Sequence, residues 1–365
     1  MSEPRVIQSL GVRAPYTPYF MTYEEGPLPG GHVRLETLFS GLSAGTELTF
    51  LKNSNPYLHS RWDEGRGVFV DGEPSAHFPI PFLGYMEVAT ISESDLPTHR
   101  AGDIVCCSYA HKSGHTANPF HELLVPLPQS IEPMLGVFVA QMGPIAANGI
   151  LHADAELFGA DVRRLGEGVA GRPVLVIGAG PVGVLTALFA RDAGASVVIA
   201  DPSSFRRQKA EELGIAAMEE EAAWQHAKAA WHHGASDRGA DIVFQTRARS
   251  ESLHTALRAL RPQGTVIDLA FYQGVADRTR LGEEFHHNGL AIRCAQIGRV
   301  PRGMAHLWDR RRLALETIAL LSRHGEAIRR AVISHVVPIR DAPAFLEALL
   351  RDRPDFLQIV FSFER

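Results

Sequence analysis

The pattern of apolar and polar positions divides the chain into a strand-rich first part and a regularly alternating second part. Residues 32–38 alternate polar and apolar positions, as a half-buried strand does, and short apolar runs at 87–92, 104–109 and 121–125 are bounded by turn residues. Several short strands with irregular connections predict a small barrel or closed sheet. Residues 52–81 show little periodicity, but their aromatic side chains predict an ordered excursion rather than a linker.

From residue 172 onward, apolar runs alternate with helix-like stretches. The predicted strands are 173–177, 196–200, 241–245, 265–269 and 291–297. The predicted helices between and after them are 182–193, 203–213, 219–233, 250–260 and 312–323, and a connecting helix is predicted before them at 144–157. Such alternation predicts parallel βαβ units covered by helices on both faces. The last segment, 335–365, adds a strand, a helix at 342–351 and a strand at 356–363.

A glycine-rich turn follows the first strand of the second part. The apolar run 174–177 leads directly into GAGPVG (residues 178–183), which opens a predicted helix. A GxGxxG sequence alone is weak evidence, but a strand before it and a helix after it are typical of a dinucleotide-binding turn. The helix N-terminus would face the phosphates of the cofactor. The predicted cofactor-binding residues of the turn are Gly178, Gly180, Pro181, Val182 and Gly183.

The residue at the end of the next predicted strand bears on the choice of cofactor. Asp201 would accept hydrogen bonds from both ribose hydroxyls and repel a 2′-phosphate, which predicts NAD rather than NADP. Arg206 and Arg207 leave NADP open, because an arginine here can hold that phosphate; we interpret them as solvated helix positions. Arg206 is nevertheless kept among the candidate cofactor-binding residues, together with Thr246 after the third strand.

Composition and charge narrow the classes of partner. The chain of 365 residues has 36 Lys plus Arg against 41 Asp plus Glu, a net charge of −5. This charge gives no electrostatic reason to expect binding to nucleic acid. Three cysteines do not form a disulfide framework and fit a reducing cytoplasm. We see neither an apolar signal segment at the N-terminus nor a stretch long enough to cross a membrane. These features predict a cytoplasmic protein with a small-molecule substrate and no membrane contact.

Several segments are similar to those of one enzyme superfamily. SGLSAGTE (residues 40–47), PFLGYMEV (81–88), GDIV (102–105) and GPIA (143–146), with the glycine turn, resemble the medium-chain dehydrogenase/reductase superfamily over nearly the whole chain. The resemblance implies an α/β fold with a GroES-like β-barrel domain (1–145, completed by 335–365) and a Rossmann domain (146–334). The Rossmann domain is a doubly wound parallel sheet, with the cofactor in the cleft between the domains. The resemblance also implies a homodimer formed through the last Rossmann strand, residues 290–297.

The chain departs from the zinc-containing members at the metal-binding positions. Those members carry a cysteine, a histidine and a third cysteine or glutamate, where this chain has Ser43 or Ala44, Tyr85 and Gly143. None of these supplies a thiolate or an imidazole, and three cysteines cannot form the family's four-cysteine zinc lobe. The resemblance therefore predicts a zinc-lacking branch with no metal. The segments GLSAGTE and LGY are similar to those of bacteriochlorophyllide dehydrogenase-like members.

The predicted function is an NAD-dependent, zinc-independent oxidoreductase that transfers a hydride between nicotinamide and an alcohol or ketone. A sugar, a cyclitol or a secondary-metabolite alcohol would be the substrate. Two alternatives are an NADPH-dependent enone or quinone reductase and a nucleotide-binding protein without turnover.

Three residues are the predicted catalytic groups. Tyr85 stands in place of the family's histidine ligand and could donate or take a proton. Thr46 aligns with a proton-relaying hydroxyl residue, and Glu47 aligns with an acid that would orient Tyr85 or act as the base. In the alternative interpretation, Tyr85 only fills the space of the missing metal.

Two groups of histidines are candidates for further sites. His111, His115 and His121 match no standard zinc spacing, so we interpret them as loop histidines, with residues 112–120 as a surface loop. His286 and His287 are interpreted as exposed positions in the first turn of a helix.

Overall fold

The computed structural model describes residues 3–363, and within them the chain folds into two units. The first unit, called the barrel unit below, contains the described residues up to Ala140 together with those from His335 onward. The second unit, Gln141–Ser334, is called the nucleotide unit. No helix among residues 3–363 is both long enough and apolar enough to cross a membrane.

In chain order, the strands are β1 (Arg5–Ala14), β2 (Thr17–Glu25), β3 (Val33–Leu42), β4 (Ser60–Asp63), β5 (Val68–Asp71), β6 (Glu87–Ser94), β7 (Ile104–Cys107), β8 (Gly114–Ala117), β9 (Val125–Pro126), β10 (Pro173–Ile177), β11 (Ser196–Ala200), β12 (Ala216–Met218), β13 (His232–Gly234), β14 (Asp237–Arg238), β15 (Ala240–Gln245), β16 (Leu260–Asp268), β17 (Ala291–Cys294), β18 (Ile333–Pro338) and β19 (Gln358–Ser362). The α-helices are α1 (Glu47–Leu51), α2 (Met142–Phe158), α3 (Pro181–Asp192), α4 (Ser204–Glu212), α5 (Ala223–Ala230), α6 (Ser250–Ala259), α7 (Arg310–Ala331) and α8 (Ala342–Asp352).

The barrel unit is organised around strand β3. Its main sheet has the order β18-β19-β3-β6-β7-β9, and β8 pairs with β3 as well. Strand β3 is antiparallel to β6, β8 and β19, so the C-terminal segment of the chain completes the sheet. Val33 and Leu35 of β3 are buried with Ile91 of β6 in one apolar cluster. The central position of β3 fixes where its C-terminal end, and therefore residues 43–47, lies in this unit.

The nucleotide unit contains a six-stranded parallel sheet with helices between its strands. The spatial order is β12-β11-β10-β15-β16-β17, which is the 3-2-1-4-5-6 order of a doubly wound dinucleotide-binding sheet. Residues 174–177 of β10 are fully buried because neighbouring strands and helices cover them, which explains their unbroken apolar run. The predicted α/β fold, with its Rossmann sheet, is confirmed.

Three features of the barrel unit differ from the sequence-based expectations. The predicted strand at 121–125 is wrong, because residues 121–124 form a turn and an irregular segment before the two-residue strand β9. The predicted surface loop at 112–120 is also wrong, since Lys112 is buried and β8 pairs with β3. The hairpin β1–β2 was missed altogether. Within the ordered excursion at 52–81, the structure has a second hairpin, β4–β5.

Candidate active site

Three hydroxyl side chains meet at the C-terminal end of β3. Ser43 and Thr46 lie in the turn between β3 and α1, and Tyr85 lies just before β6. The phenolic oxygen of Tyr85 hydrogen-bonds to Oγ of Ser43 and to Oγ1 of Thr46, the latter at 3.2 Å. We call these three residues the hydroxyl cluster. The structure thus brings Tyr85 and Thr46 together, and it adds Ser43 as a direct partner of the phenol.

Glu47 holds the turn that carries two members of the hydroxyl cluster. Its Oε1 accepts a hydrogen bond from the backbone N–H of Ser43 at 2.7 Å, and its Oε2 lies 2.7 Å from Nε2 of His111. Glu47 is only 2% exposed. Both carboxylate oxygens are therefore engaged beneath the turn, and this geometry favours the orienting role for Glu47 over that of a base.

The surroundings of Tyr85 keep its phenol protonated. Burial, and after it the negative charge of Glu47, raises the pKa of Tyr85 to about 12, although the bonds to Ser43 and Thr46 act in the opposite direction. A phenol with this pKa carries its proton at neutral pH. It is thus able to donate a hydrogen bond to a substrate oxygen rather than to act as a base.

His111 is a member of the site that the sequence analysis missed. It lies in the segment between β7 and β8 and is hydrogen-bonded, as a loop histidine can be, but it is 0% exposed and therefore not solvated. Its Nδ1 hydrogen-bonds to Oγ of Ser40 and lies 3.7 Å from Oε1 of Glu87. His115 pairs with Glu122 at 2.7 Å instead, and His121 is exposed. No spacing motif predicts the contacts of His111, because its partners come from three separate segments.

The residues around Tyr85 do not fit a zinc ion. Structural and catalytic zinc sites use thiolate, imidazole and carboxylate ligands, whereas this cluster offers neutral hydroxyl oxygens that are bonded to one another. The nearest imidazole and carboxylate, those of His111 and Glu47, are bonded to each other. Cys106 and Cys107 are buried in β7, where burial raises the pKa of both thiols and disfavours the thiolate.

Two further observations concern residues that could hold a metal ion. Gly143, at the third of the metal-binding positions, has no side chain, and a Cβ there would lie 2.1 Å from Cγ2 of Thr317 in the nucleotide unit. Within residues 3–363, the His, Cys, Asp and Glu side chains converge closely enough to hold a metal at one place, formed by His254, Glu283 and Glu284. That group contains no residue of the hydroxyl cluster.

The glycine turn of the nucleotide unit has the shape that a pyrophosphate requires. Gly178 has a φ of +100°, and a Cβ at Gly183 would lie 1.8 Å from the carbonyl oxygen of Gly178, so the turn and helix α3 are in direct contact. At Gly180 a Cβ would meet a single neighbour within 4 Å, Nη1 of Arg206 at 3.9 Å. Since α3 begins at Pro181, its free backbone N–H groups lie directly after this open position.

The other candidate cofactor residues brace this turn. Asp201 accepts hydrogen bonds from the backbone N–H groups of Ala179 and Ser203, each at 2.8 Å, and is 2% exposed. Thr246 Oγ1 donates to the carbonyl oxygens of Ile177 and Gly178 at 2.9 and 3.0 Å. Their contacts with a ribose or pyrophosphate stay predictions.

The two arginines after β11 lie in helix α4, as the sequence analysis expected, and their side chains are partly exposed, 33% for Arg206 and 18% for Arg207. Nη1 of Arg206 lies 3.9 Å from Oδ2 of Asp201, beside the open position at Gly180. Arg207 donates to the carbonyl oxygens of Asp201 and Pro202 at 2.7 and 2.9 Å. Both guanidinium groups are thus held against the end of β11.

Comparison with known proteins agrees with this architecture. Residues 181–303 match the family of zinc-binding dehydrogenases. D-guloside 3-dehydrogenase of Escherichia coli is 26% identical over 346 residues, which cover 92% of this chain and 94% of that protein. L-threonine 3-dehydrogenase of Pyrococcus abyssi is 31% identical over 172 residues, covering 46% of this chain and 44% of that protein.

Solved structures of dehydrogenases share the fold. An alcohol dehydrogenase of Thermotoga maritima superposes with a TM-score of 0.72 at 17% identity, covering 98% of this chain and 99% of its own. A protein of Sinorhizobium meliloti described as a zinc-binding dehydrogenase bound to NADP gives 0.69 at 16% identity, and an alcohol dehydrogenase of E. coli CFT073 complexed with NADH gives 0.69 at 13%. Each covers 98% of this chain and 99% of its own.

The fold is that of medium-chain alcohol dehydrogenases. The relatives that match by sequence are named as sugar and threonine dehydrogenases, and two of the structures with this fold contain NADP or NADH. The closer kinship with bacteriochlorophyllide dehydrogenases stays a prediction.

Proposed function

We propose that this protein is an NAD-dependent, zinc-independent dehydrogenase of a secondary alcohol on a sugar or sugar derivative. The observation that carries the proposal is the hydroxyl cluster. Tyr85 occupies one position at which the superfamily resemblance expects a zinc ligand, and Ser43 is one of the two residues, with Ala44, that could stand at another. Ser43 and Tyr85 hydrogen-bond to each other and, through Tyr85, to Thr46. The hydroxyl side chains of Ser43, Thr46 and Tyr85 therefore form one hydrogen-bonded group.

The cluster supplies what an alcohol–ketone interconversion requires of a protein. A nicotinamide cofactor, when bound, would supply the hydride exchange with the substrate carbon. In the reductive direction, the phenol of Tyr85 donates to the oxygen on which negative charge develops. In the oxidative direction, the alcohol proton would pass to the half-buried hydroxyl group of Thr46, which would pass its own proton to solvent water. Glu47 keeps the turn in place through the backbone N–H of Ser43.

Support for the cofactor and the substrate class comes from different features. Asp201 follows β11 directly, and a carboxylate at the end of this strand in a dinucleotide-binding sheet favours NAD, because its negative charge would repel a 2′-phosphate. Two relatives are named as 3-dehydrogenases of a guloside and of threonine. The guloside enzyme matches over most of both chains, so a secondary hydroxyl group of a glycoside is the first substrate to try.

One observation favours the alternative of an NADPH-dependent enone or quinone reductase. The guanidinium group of Arg206 lies beside Gly180 and Asp201, and an arginine in this place can hold a 2′-phosphate. Fluorescence titrations with NADH and NADPH separate the two proposals. A nucleotide-binding protein without turnover would bind NADH in that titration but would oxidise none of the alcohols tested.

The decisive experiment for the hydroxyl cluster combines chelation with substitution. Oxidation of methyl hexopyranosides and polyols with NAD⁺ is measured before and after exhaustive chelation, and for Tyr85→Phe and Thr46→Val. We expect chelation to leave turnover unchanged and each substitution to lower it about 10²–10⁴-fold, the usual contribution of one positioned acid or base. Tyr16→Phe, at an exposed tyrosine of the same unit, is the matched control. Loss of activity on chelation, or normal turnover by both variants, would show that the assignment is wrong.

A further inference from the structure

A group of buried polar residues lies beneath the hydroxyl cluster. Ser40, Glu47, Glu87 and His111 are each at most 2% exposed, and His111 is their centre. Its Nε2 faces Oε2 of Glu47 at 2.7 Å, and its Nδ1 faces Ser40 Oγ, with Oε1 of Glu87 at 3.7 Å. Burying four such groups in a barrel interior is costly unless each is bonded.

His111 also contacts the second segment of the site through its backbone and its ring. Its backbone N–H donates to the carbonyl oxygen of Leu83 at 2.6 Å. A Cβ on Gly84, which has a φ of +109°, would lie 2.7 Å from Nδ1 of the imidazole, so the ring packs directly under the residue that precedes Tyr85. The edge of the ring meets Phe361 of β19 at a centroid distance of 5.1 Å.

Two glutamates face the imidazole of His111, one at each ring nitrogen. Burial raises the pKa of Glu87 well above its ordinary value, which favours the neutral acid. Glu87 also accepts a hydrogen bond from the backbone N–H of Tyr109 at 2.9 Å. Of the two glutamates, Glu47 lies nearer to the imidazole, at 2.7 Å against 3.7 Å, and its other carboxylate oxygen holds the backbone N–H of Ser43.

We propose that His111 is the positioning residue of the hydroxyl cluster. Through Glu47 it fixes the turn that carries Ser43 and Thr46, and through Leu83 and Gly84 it fixes the segment that carries Tyr85. One buried ring thus sets the separation of the two segments whose hydroxyl groups must converge on a substrate oxygen. This inference rests on the proposed function of the cluster.

The test compares His111→Gln and His111→Phe with His115→Gln. His115 is a matched control because its Nε2 also lies 2.7 Å from a glutamate oxygen, that of Glu122. Turnover of methyl hexopyranosides with NAD⁺ is separated into kcat and KM, and NADH affinity is measured alongside. We expect His111→Phe to lower kcat about 10²-fold, the usual cost of misplacing a catalytic group by about 1 Å, with NADH affinity unchanged. His111→Gln keeps a donor toward Glu47 and should retain more activity, while the control stays normal.

Hydrogen–deuterium exchange provides a readout that needs no turnover. In His111→Phe, peptides covering residues 43–47 and 83–85 should both exchange faster, while the glycine turn at 178–183 should not change. Equal kcat and equal exchange in all three variants would overturn the positioning role. If Tyr85→Phe turns over normally, the proposed function fails and this inference fails with it; an impaired Tyr85→Phe beside normal His111 variants overturns this inference alone. If neither His111 variant folds, Ser40→Ala is measured instead, and an unchanged kcat there counts against the proposal.

Discussion

The carboxylate of Asp201 has two proposed roles, and a substitution would affect both. Its carboxylate holds the backbone N–H groups of Ala179 and Ser203, and we propose that it also accepts hydrogen bonds from the ribose. We therefore expect Asp201→Ser to weaken NADH binding by about 1–3 kcal/mol, the scale of a lost charged hydrogen bond. Fluorescence titration measures this, with Asp192→Ser, at the exposed end of α3, as the control. Equal or tighter binding of NADPH by the unaltered protein would contradict the choice of NAD.

Glu87 provides a pH test of the buried group around His111. Burial raises its pKa in the folded state well above its ordinary value. Its contribution to the free energy of unfolding is therefore complete below about pH 4, the unfolded pKa, and is lost as the pH rises through the folded pKa. Glu87→Gln stays neutral, so the stability of the unaltered protein should fall relative to this variant as the pH rises above about 4, the unfolded pKa.

Urea unfolding at a series of pH values measures that difference. The control is Glu73→Gln, because Glu73 is exposed and its replacement should give a difference that does not change with pH. If the difference for Glu87→Gln were equally constant, Glu87 would be ionised in the folded protein, contrary to the expectation.

At the scale of residues, the three predicted catalytic groups come from recognisable motifs, and their catalytic roles stay predictions. Tyr85, Thr46 and Glu47 come from two such segments, and the structure places all three at the end of β3. His111 carries no such signal. Its importance comes from pairing across the sheet, which brings residues 40, 47, 87 and 111 together, and no local spacing encodes those contacts.

Two glycines in the turn between β10 and α3 allow two effects of an added methyl group to be measured separately, one on stability and the other on cofactor binding. A Cβ at Gly183 would lie 1.8 Å from the carbonyl oxygen of Gly178, so Gly183→Ala should lower the free energy of unfolding by about 1–3 kcal/mol. At Gly180 the nearest atom is 3.9 Å away, so Gly180→Ala should leave stability nearly unchanged. It should weaken NADH binding about tenfold or more, because the methyl group would lie between the backbone and the pyrophosphate.

Thermal unfolding and NADH titration of both variants check this pair of expectations. Gly45→Ala, where a Cβ meets no atom within 4 Å, is a further reference for stability. Unimpaired NADH binding by Gly180→Ala would mean that no pyrophosphate crosses this turn.

At the scale of elements, the sequence predicted the strands whose burial produces a recognisable run or alternation of apolar residues. Strands β10 and β11 were predicted with the bounds they have, because a parallel strand covered on both faces is a continuous apolar run. The hairpin β1–β2 was missed because its burial does not alternate regularly: four consecutive residues of β1 are buried, including Ser9 and Gly11. Strand β8 was missed because its sequence, GHTA, has little β-propensity. The strand is held by its pairing with β3.

At the scale of the whole molecule, the last strand of the nucleotide unit has an unpaired edge in the described structure. Strand β17 comes last in the order of the six-stranded sheet and pairs with β16 on one side. All four of its residues are exposed, and Ile292 is 39% exposed. An exposed edge strand offers free backbone N–H and C=O groups to another chain.

We propose that two copies of the chain pair through this edge as an isologous two-fold dimer, so that their two sheets become one. Light scattering at micromolar concentration should then give the mass of a dimer. Ile292→Lys should shift the protein toward the monomer, because a lysine on an edge strand opposes further pairing. Val275→Lys is the matched control, since Val275 is an 84% exposed apolar residue of the same unit outside the sheet, and it should leave the dimer intact. A monomeric unaltered protein, or a dimer that tolerates Ile292→Lys as well as Val275→Lys, would mean that the subunits do not associate through β17.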